Sequence, residues 1–258
     1  MVRIGLGRSM INQPFVVVEA SFQTAWIAAA RLLAAQKAGM LRNLVVQITD
    51  AQQFDAALHQ QVCQFATGAR LLGPKDVAYT IFPHGLYRKR RTAQRLYVAY
   101  NRSGGLYERT QSRVSYSWGT YFRRMTWYET KEEVVNQLDH TIQAIRRDNG
   151  VGRVFRGAFC IVIQVPGRET KRRRGGPCLN YIAVQRAGGN QGELGLLGVY
   201  RSHDFLERAY GNYWGLCNLL GFLAKETDSR PGPLTCVSSV AYVPRSKREL
   251  STFLGTLP

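Results

Sequence analysis

Two short segments carry residue types that could do covalent chemistry on a nucleotide base. In Pro177-Cys178, a cysteine follows a proline and could act as a soft nucleophile. In Arg201-Ser202-His203-Asp204, a guanidinium fork and a hydroxyl suit a phosphate group. Asn212 lies eight residues after Asp204, so a carboxylate and an amide could read a polar ring from one loop-helix turn. These residues predict a nucleophile, a phosphate clamp and a base-reading pair.

The balance of charge is the unusual bulk property of the chain. Its 258 residues include 35 Lys and Arg against 17 Asp and Glu, a formal net charge of +18. The electrostatic field of such a charge attracts phosphates and anionic polymers, which would suit an anionic partner. A solvated basic surface on an ordinary enzyme explains the net charge equally well. The hydrophobic share of 45% is that of a globular protein, and the length is compatible with a single domain over residues 1–258.

The cysteines and histidines predict no metal site. Five cysteines and four histidines are scattered along the chain, and no cysteine pair has C-x-x-C spacing. An odd number of cysteines without paired spacing fits reduced thiols best, so we expect a cytoplasmic protein. We also expect no signal peptide and no membrane span, because no long apolar run occurs.

Hydrophobic periodicity predicts the elements that must position these groups. The predicted helices cover 22–39, the stretch from a cap at Asp50 to about Ala66, the stretch from a capping box at Thr130 through Ile145, and 212–226. The predicted strands cover 44–49, 77–82, 154–165, 179–185, 194–200 and 234–242, with a hairpin turn at 187–192. Helices mixed with hairpin strands indicate the α+β class, with a largely antiparallel or mixed sheet.

Taken in order, these segments resemble the thymidylate synthase family, which includes the pyrimidine nucleotide hydroxymethylases. The resemblance is strongest over residues 118–242. Four pieces carry it: Trp118-Gly119-Thr120-Tyr121-Phe122-Arg123; the helix from Asn136 to Ile145 followed by Arg153; Pro177-Cys178; and Arg201-Ser202-His203-Asp204 with Asn212, Ala224, Asp228 and Gly232. The last piece reproduces the family spacing without a gap.

The resemblance implies a fold, an assembly and a reaction. The fold would be the family's mixed-sheet sandwich in one domain, and two copies would form a homodimer through their sheet faces. Cys178 would attack C6 of a pyrimidine nucleoside 5′-monophosphate, with Asn212 as the second catalytic residue. The C5 carbon would then take a methyl or hydroxymethyl group from a folate donor, 5,10-methylenetetrahydrofolate.

The resemblance also assigns binding roles. The substrate would be held by Arg201, Ser202, Asn212 and Tyr242, with Arg153 or Arg156 reaching the phosphate of the other subunit. Asp204 and Trp118 would face the folate. Asn212 favours uracil, because hydroxymethylases that act on cytosine commonly have an aspartate at this position.

Several residues depart from the family pattern. Leu179 stands where a histidine is usual in the family. Ala183 occupies the position of a family glutamine, and Gln185, on the same face of the strand, could take over the role of that glutamine. The helix that matches the family's catalytic-glutamate helix, residues 26–39, contains no acid. General acid–base catalysis contributes roughly 10²–10⁴-fold to a rate, so another residue would have to supply the proton donor that this helix lacks. The candidates are Glu19, Asp50 and Tyr242.

Two other functions remain open on the sequence. The chain could be a catalytically degenerate member that binds nucleotides or nucleic acid through its basic surface, including Arg88–Arg91 and the segment 171–174. It could also scaffold an active paralogue. Taken alone, Cys178 would more often be a buried structural thiol than a nucleophile. His203 is interpreted as a spacer inside its motif, without a role.

Overall fold

A computed structural model describes most of the chain: residues 13–111, 118–152, 157–167, 169, 175–188, 192–244 and 246–257. The strands in it are β1 (Phe15–Glu19), β2 (Met40–Ile48), β3 (Tyr128–Glu129), β4 (Val134–Val135), β5 (Phe159–Val162), β6 (Leu179–Ala187), β7 (Glu193–Tyr200), β8 (His203–Asp204) and β9 (Arg230–Tyr242). The helices are α1 (Phe22–Ala35), α2 (Ala56–Gly68), α3 (Pro74–Ile81), α4 (His84–Arg90), α5 (Ala93–Asn101), α6 (Leu106–Gln111), α7 (Tyr121–Thr126), α8 (Gln137–Gly150), α9 (Ala209–Glu226) and α10 (Lys247–Gly255).

One mixed sheet of seven strands organises the fold, and β3 and β4 form a separate antiparallel pair. The strand order of the mixed sheet is β1-β2-β9-β7-β6-β5, and β8 pairs with the end of β9. The pairs β1–β2, β7–β9 and β8–β9 are parallel, and the other neighbours are antiparallel. The predicted α+β class with a mixed sheet is therefore confirmed.

The two faces of the sheet differ in burial. One face carries a row of small and aliphatic residues that is buried across all six strands and packs against α1 and α9: Val17, Val46, Cys236, Gly198, Ile182 and Ile161. The opposite face carries a matching row that is partly or fully exposed: Val16, Val45, Val237, Val199, Tyr181 and Val162. We call the residues of this second row the open row. Alternation along each strand produces both rows.

The helix α9 is the longest element against the buried face. Thirteen of its eighteen residues are buried, so it is enclosed almost all round. Two glycines allow α3 to approach it closely. A Cβ at Gly211 would lie 2.6 Å from Cβ of Val77, and a Cβ at Gly215 would lie 2.9 Å from Cβ of Ile81.

The strand predicted at 77–82 is wrong, because these residues form most of α3. Pro74 occupies the first turn and Asp76 supplies an acid there, which are both helix-start signals. The run Val77–Phe82 is apolar because α3 is buried against α9, and a short apolar run does not distinguish a buried helix from a buried strand.

Other predicted boundaries also move. The helix expected after Asp50 is α2, which is capped by Asp55 instead. The hydroxyl of Thr130 accepts hydrogen bonds in the β3–β4 turn, and α8 begins later with Asn136 as its cap. The first helix ends at Ala35. The Pro231-Gly232-Pro233 segment lies inside β9, where the pairing with β7 is irregular.

The strand predicted over 154–165 is observed as the four-residue β5, and its beginning lies outside the described residues. No helix within the described ranges is long and apolar enough to cross a membrane.

Candidate functional site

A cleft of about 260 Å³ opens where α9 begins. Cys178 reaches it from the start of β6, and Tyr242 from the end of β9. Ser202 and Asp204 come from the segment between β7 and α9, and Asn212 comes from the first turn of α9. Trp118 also lines the cleft, so the structure brings together predicted residues that lie up to 124 positions apart (118 to 242) in the sequence.

The nucleophile candidate is fixed by backbone hydrogen bonds. The amide N–H of Cys178 donates to the hydroxyl of Tyr121 (3.3 Å), which also lines the cleft. The carbonyl of Cys178 accepts from the N–H of Arg201 (2.9 Å). The segment beginning at Trp118, part of the family resemblance, therefore contacts the backbone that holds the thiol.

The electrostatic surroundings of Cys178 do not favour the thiolate on balance. Burial raises the pKa of the thiol, the guanidinium of Arg201 lowers it, and the carboxylate of Asp204 raises it further. The net pKa is above the ordinary value of a cysteine. The thiol form therefore predominates at neutral pH, and reaction requires a proton acceptor.

Arg201 and Ser202 occupy different positions relative to the cleft. Ser202 lines the cleft. Burial raises the pKa of Tyr242, and a hydrogen bond from Ser202 acts in the opposite direction. The Nε of Arg201 donates to the carbonyl of Pro177 (3.1 Å), which ties the guanidinium to the loop before Cys178. Arg201 is adjacent to the nucleophile but is not among the residues that line the cleft.

His203, interpreted from the sequence as a spacer, has definite partners. Its Nε2 lies 3.1 Å from Nδ2 of Asn212, and its Nδ1 lies 2.9 Å from Oγ of Ser238. The imidazole is 1% exposed, and burial lowers its pKa to about 3. The ring is therefore neutral at physiological pH.

Two further charged residues line the cleft and were not predicted. Arg208 and Glu207 follow the Arg-Ser-x-Asp motif and enter the cleft just before α9. The sequence did hold a signal, because Arg208 lies four residues after Asp204 and four before Asn212, and backbone hydrogen bonds of 3.2 and 2.8 Å join the three residues in successive turns. Burial lowers the pKa of Arg208, and Tyr242 works against that shift.

The remaining predicted residues fall into three groups. Asp204, Trp118 and Tyr242 line the cleft, as does Asn212. Arg153 and Arg156 lie outside the described residues. The residues that do not line the cleft are Glu19, Asp50 and Gln185, and Gln185 is exposed at the edge of the open face of the sheet.

Comparison with known proteins gives one relevant relative. A scan against protein-family models found no match. A protein of Methanosarcina barkeri (strain Fusaro / DSM 804) named "Putative thymidylate synthase" is 27% identical over 124 residues. The alignment covers 48% of this chain and 52% of that protein, so the similarity spans about half of each. This similarity supports a thymidylate synthase-like relationship.

Proposed function

We propose that this protein is a thymidylate synthase-like transferase that acts at C5 of a pyrimidine nucleoside 5′-monophosphate, with uracil as the preferred base. The observation that carries the proposal is the convergence of Cys178, Ser202, Asp204 and Asn212 on one cleft. The cleft lies just below the usual volume range of small-molecule sites, which suits a single nucleotide.

Cys178 is the proposed nucleophile. Its sulfur forms a bond to C6 of the base while the C5–C6 π electrons shift through C4 to O4, which leaves C5 electron-rich. The thiol proton has to leave first, and Glu207 or Asp204 can accept it from within the cleft. Glu207 thereby offers the acid that the early helix lacks.

Polar groups at the start of α9 stabilise the charge that develops on the base. Asn212 can donate to O4 and accept from N3–H, because a carboxamide carries both functions. Arg208 supplies a partly desolvated cation, whose effect on an anionic group is stronger than in water. Arg201 and Ser202 are proposed for the 5′-phosphate, with Tyr242 for the sugar.

The surroundings of Trp118 fit a folate. A second cleft of about 250 Å³ shares Trp118 with the first and is also lined by Tyr107, Trp127 and Arg123. The guanidinium of Arg123 already lies over the rings of Tyr107 and Trp127, at 4.7 and 4.4 Å from their centroids, so the proposed stacking on a flat pterin rests on Trp118. When bound, methylenetetrahydrofolate would supply the one-carbon unit, with Asp204 and Trp118 as its proposed contacts.

We propose that the open row forms the interface of a homodimer. Its six side chains cross the whole sheet, and the valines at its ends, Val16 and Val162, are 49% and 37% exposed. A continuous row of five valines and one tyrosine, partly or fully exposed, is typical of a protein–protein contact. A second copy presenting the same row makes a self-complementary interface.

The test is covalent capture by 5-fluoro-dUMP or 5-fluoro-UMP, with and without methylenetetrahydrofolate. Fluorine at C5 does not leave as a proton does, so the adduct should persist and appear in the intact mass. We expect Cys178→Ser to abolish it and Cys160→Ser, at an exposed thiol, to retain it. Release of the C5 hydrogen from UMP, dUMP, CMP and dCMP then identifies the substrate. No adduct and no release would refute the proposal.

A second candidate function is binding of nucleic acid, favoured by a basic cleft on another part of the surface. This cleft of about 500 Å³ is lined by Arg88, Arg91 and Lys225, with His84 beside them. Binding of oligonucleotides that weakens steeply with rising salt would support this function. The double variant Arg88→Gln with Arg91→Gln should reduce this binding, and Cys178→Ser should leave it unchanged. Binding that is independent of salt would count against it.

A further inference from the structure

Asn212 belongs to a buried chain of three polar side chains. Its carboxamide contacts His203, and His203 contacts Ser238, at 3.1 Å and 2.9 Å. The three residues are 3%, 1% and 0% exposed. A buried polar network is costly unless each member has a partner, so these hydrogen bonds constrain the orientation of all three side chains.

The direction of each hydrogen bond follows from the chemistry of the groups. An amide nitrogen can only donate, so Nδ2 of Asn212 donates and Nε2 of His203 accepts. A neutral imidazole carries one proton, which must then lie on Nδ1 and be donated to Oγ of Ser238. Burial keeps the ring neutral by lowering the His203 pKa to about 3.

Packing prevents the imidazole from turning over. The ring stacks on Tyr200 with centroids 3.9 Å apart and planes 2° apart. Tyr213 meets it edge-on at 5.5 Å and 86°. The two nitrogens therefore keep their partners, and one N–H of Asn212 is permanently engaged.

The carboxamide of Asn212 consequently presents one oxygen and one N–H to the cleft in a fixed order. Uracil offers the N3–H donor beside the O4 acceptor, whereas cytosine offers the N3 acceptor beside the N4 donor. We propose that His203 and Ser238 are positioning residues that fix this order and so make the cleft select uracil over cytosine. This inference rests on the proposed function, because it needs a pyrimidine in the cleft.

The reverse order requires a coordinated change. The carboxamide would have to rotate so that its oxygen faces Nε2, the proton of His203 would have to move to Nε2, and Ser238 would have to donate to Nδ1. Two substitutions remove the constraint in different ways. Ser238→Ala removes the acceptor for Nδ1–H, and His203→Phe removes both hydrogen bonds but keeps a flat ring against Tyr200.

The experiment compares the affinities for dUMP and dCMP, and for UMP and CMP, by titration calorimetry. We expect the wild type to prefer the uracil nucleotide, and His203→Phe and Ser238→Ala to lower this preference by about tenfold. Ser239→Ala, at the exposed neighbouring position, is the matched control and should keep the preference. A purely structural role would weaken both nucleotides equally, so an unchanged ratio in the two variants overturns the inference.

Two further results separate this inference from the proposed function. A wild type that binds no pyrimidine nucleotide refutes both. A wild type that binds uracil selectively, with selectivity intact in the variants, refutes only the positioning role. Nitrogen-15 NMR of the wild-type imidazole at neutral pH gives an independent measure, even where a variant fails to fold. We expect the Nδ1–H tautomer, and the Nε2–H tautomer would overturn the inference.

Discussion

The reactivity of Cys178 depends on two opposing features of its surroundings. Burial raises the pKa of the thiol, and the guanidinium of Arg201 lowers it. The two residues are neighbours because Leu179, at the start of β6, pairs with Tyr200 at the end of β7. The β6–β7 pairing therefore places the cation that increases the thiolate fraction of Cys178.

Arg201→Gln should slow the alkylation of Cys178 by iodoacetamide at about pH 8. Loss of the cation raises the thiol pKa further, and a shift of about half to one unit lowers the thiolate fraction roughly threefold to tenfold. The rate is measured by peptide mass spectrometry, with the partly exposed Cys63 on α2 as the internal reference. Arg42→Gln, at an exposed position on β2, should leave the rate unchanged. Equal rates in both variants would show that Arg201 does not act on the thiol.

His203 should make the stability of the protein depend on pH. Its pKa is about 3 in the folded state against an ordinary 6.5, so the unfolded chain binds a proton that the folded protein does not. The free energy of unfolding should therefore fall as pH drops from 6.5 towards 3, by about 1.4 kcal/mol per pH unit from this residue. Above pH 6.5 this contribution is fully present.

Denaturant unfolding of the wild type and His203→Phe across this range measures the effect. The free energy of unfolding should fall more steeply with falling pH in the wild type than in His203→Phe, because only the wild type loses the contribution. His140→Gln, at an exposed histidine, should follow the wild type. Parallel curves for the wild type and His203→Phe would contradict the assignment of a buried neutral imidazole.

Among the elements, α9 is closely packed on two sides, because it lies between the sheet and α3, and it supports Asn212 in its first turn. Gly215 is needed where α3 approaches. A Cβ there would lie 2.9 Å from the carbonyl oxygen of Ala78 and 2.9 Å from Cβ of Ile81, which are distances that packed atoms do not adopt. The absence of a side chain at Gly215 therefore permits the close approach of α3.

Gly215→Ala should destabilise the protein by about 1–3 kcal/mol through overpacking. It should also weaken nucleotide binding, because α9 shifts together with Asn212. Gly221→Ala is the matched control on the same helix, since its Cβ would meet only the flexible side chain of Gln52 at 3.1 Å. Alanine should there stabilise the helix slightly. Denaturant unfolding of both variants distinguishes the two cases, and equal stabilities would contradict the packing argument.

For the whole molecule, the central question is what covers the open face of the sheet. The buried and open rows have the same register, and the described residues place α1 and α9 against the buried row. The described residues leave Val237, at the centre of the open row, partly exposed. A second copy of the chain is the proposed cover.

Val237→Glu should convert the proposed dimer to monomers, because it places two like charges against each other at the centre of the interface. Sedimentation equilibrium at several protein concentrations measures the change. Val98→Glu, at a 57% exposed position on α5, is the control and should remain dimeric. A wild type that is monomeric, or a variant that stays dimeric, would contradict the interface.

The sequence by itself determined the α+β class, most strands of the sheet, and the segments that supply Cys178, Ser202, Asp204 and Asn212 to the cleft. The fold class and most strands could be predicted because strand alternation is a local property of the chain. Only the tertiary structure decided that α3 is a helix, that Arg208 and Glu207 line the cleft, and that His203 links Asn212 to Ser238. The physical reason is that burial and side-chain partners arise between elements distant in sequence, where local periodicity carries no information.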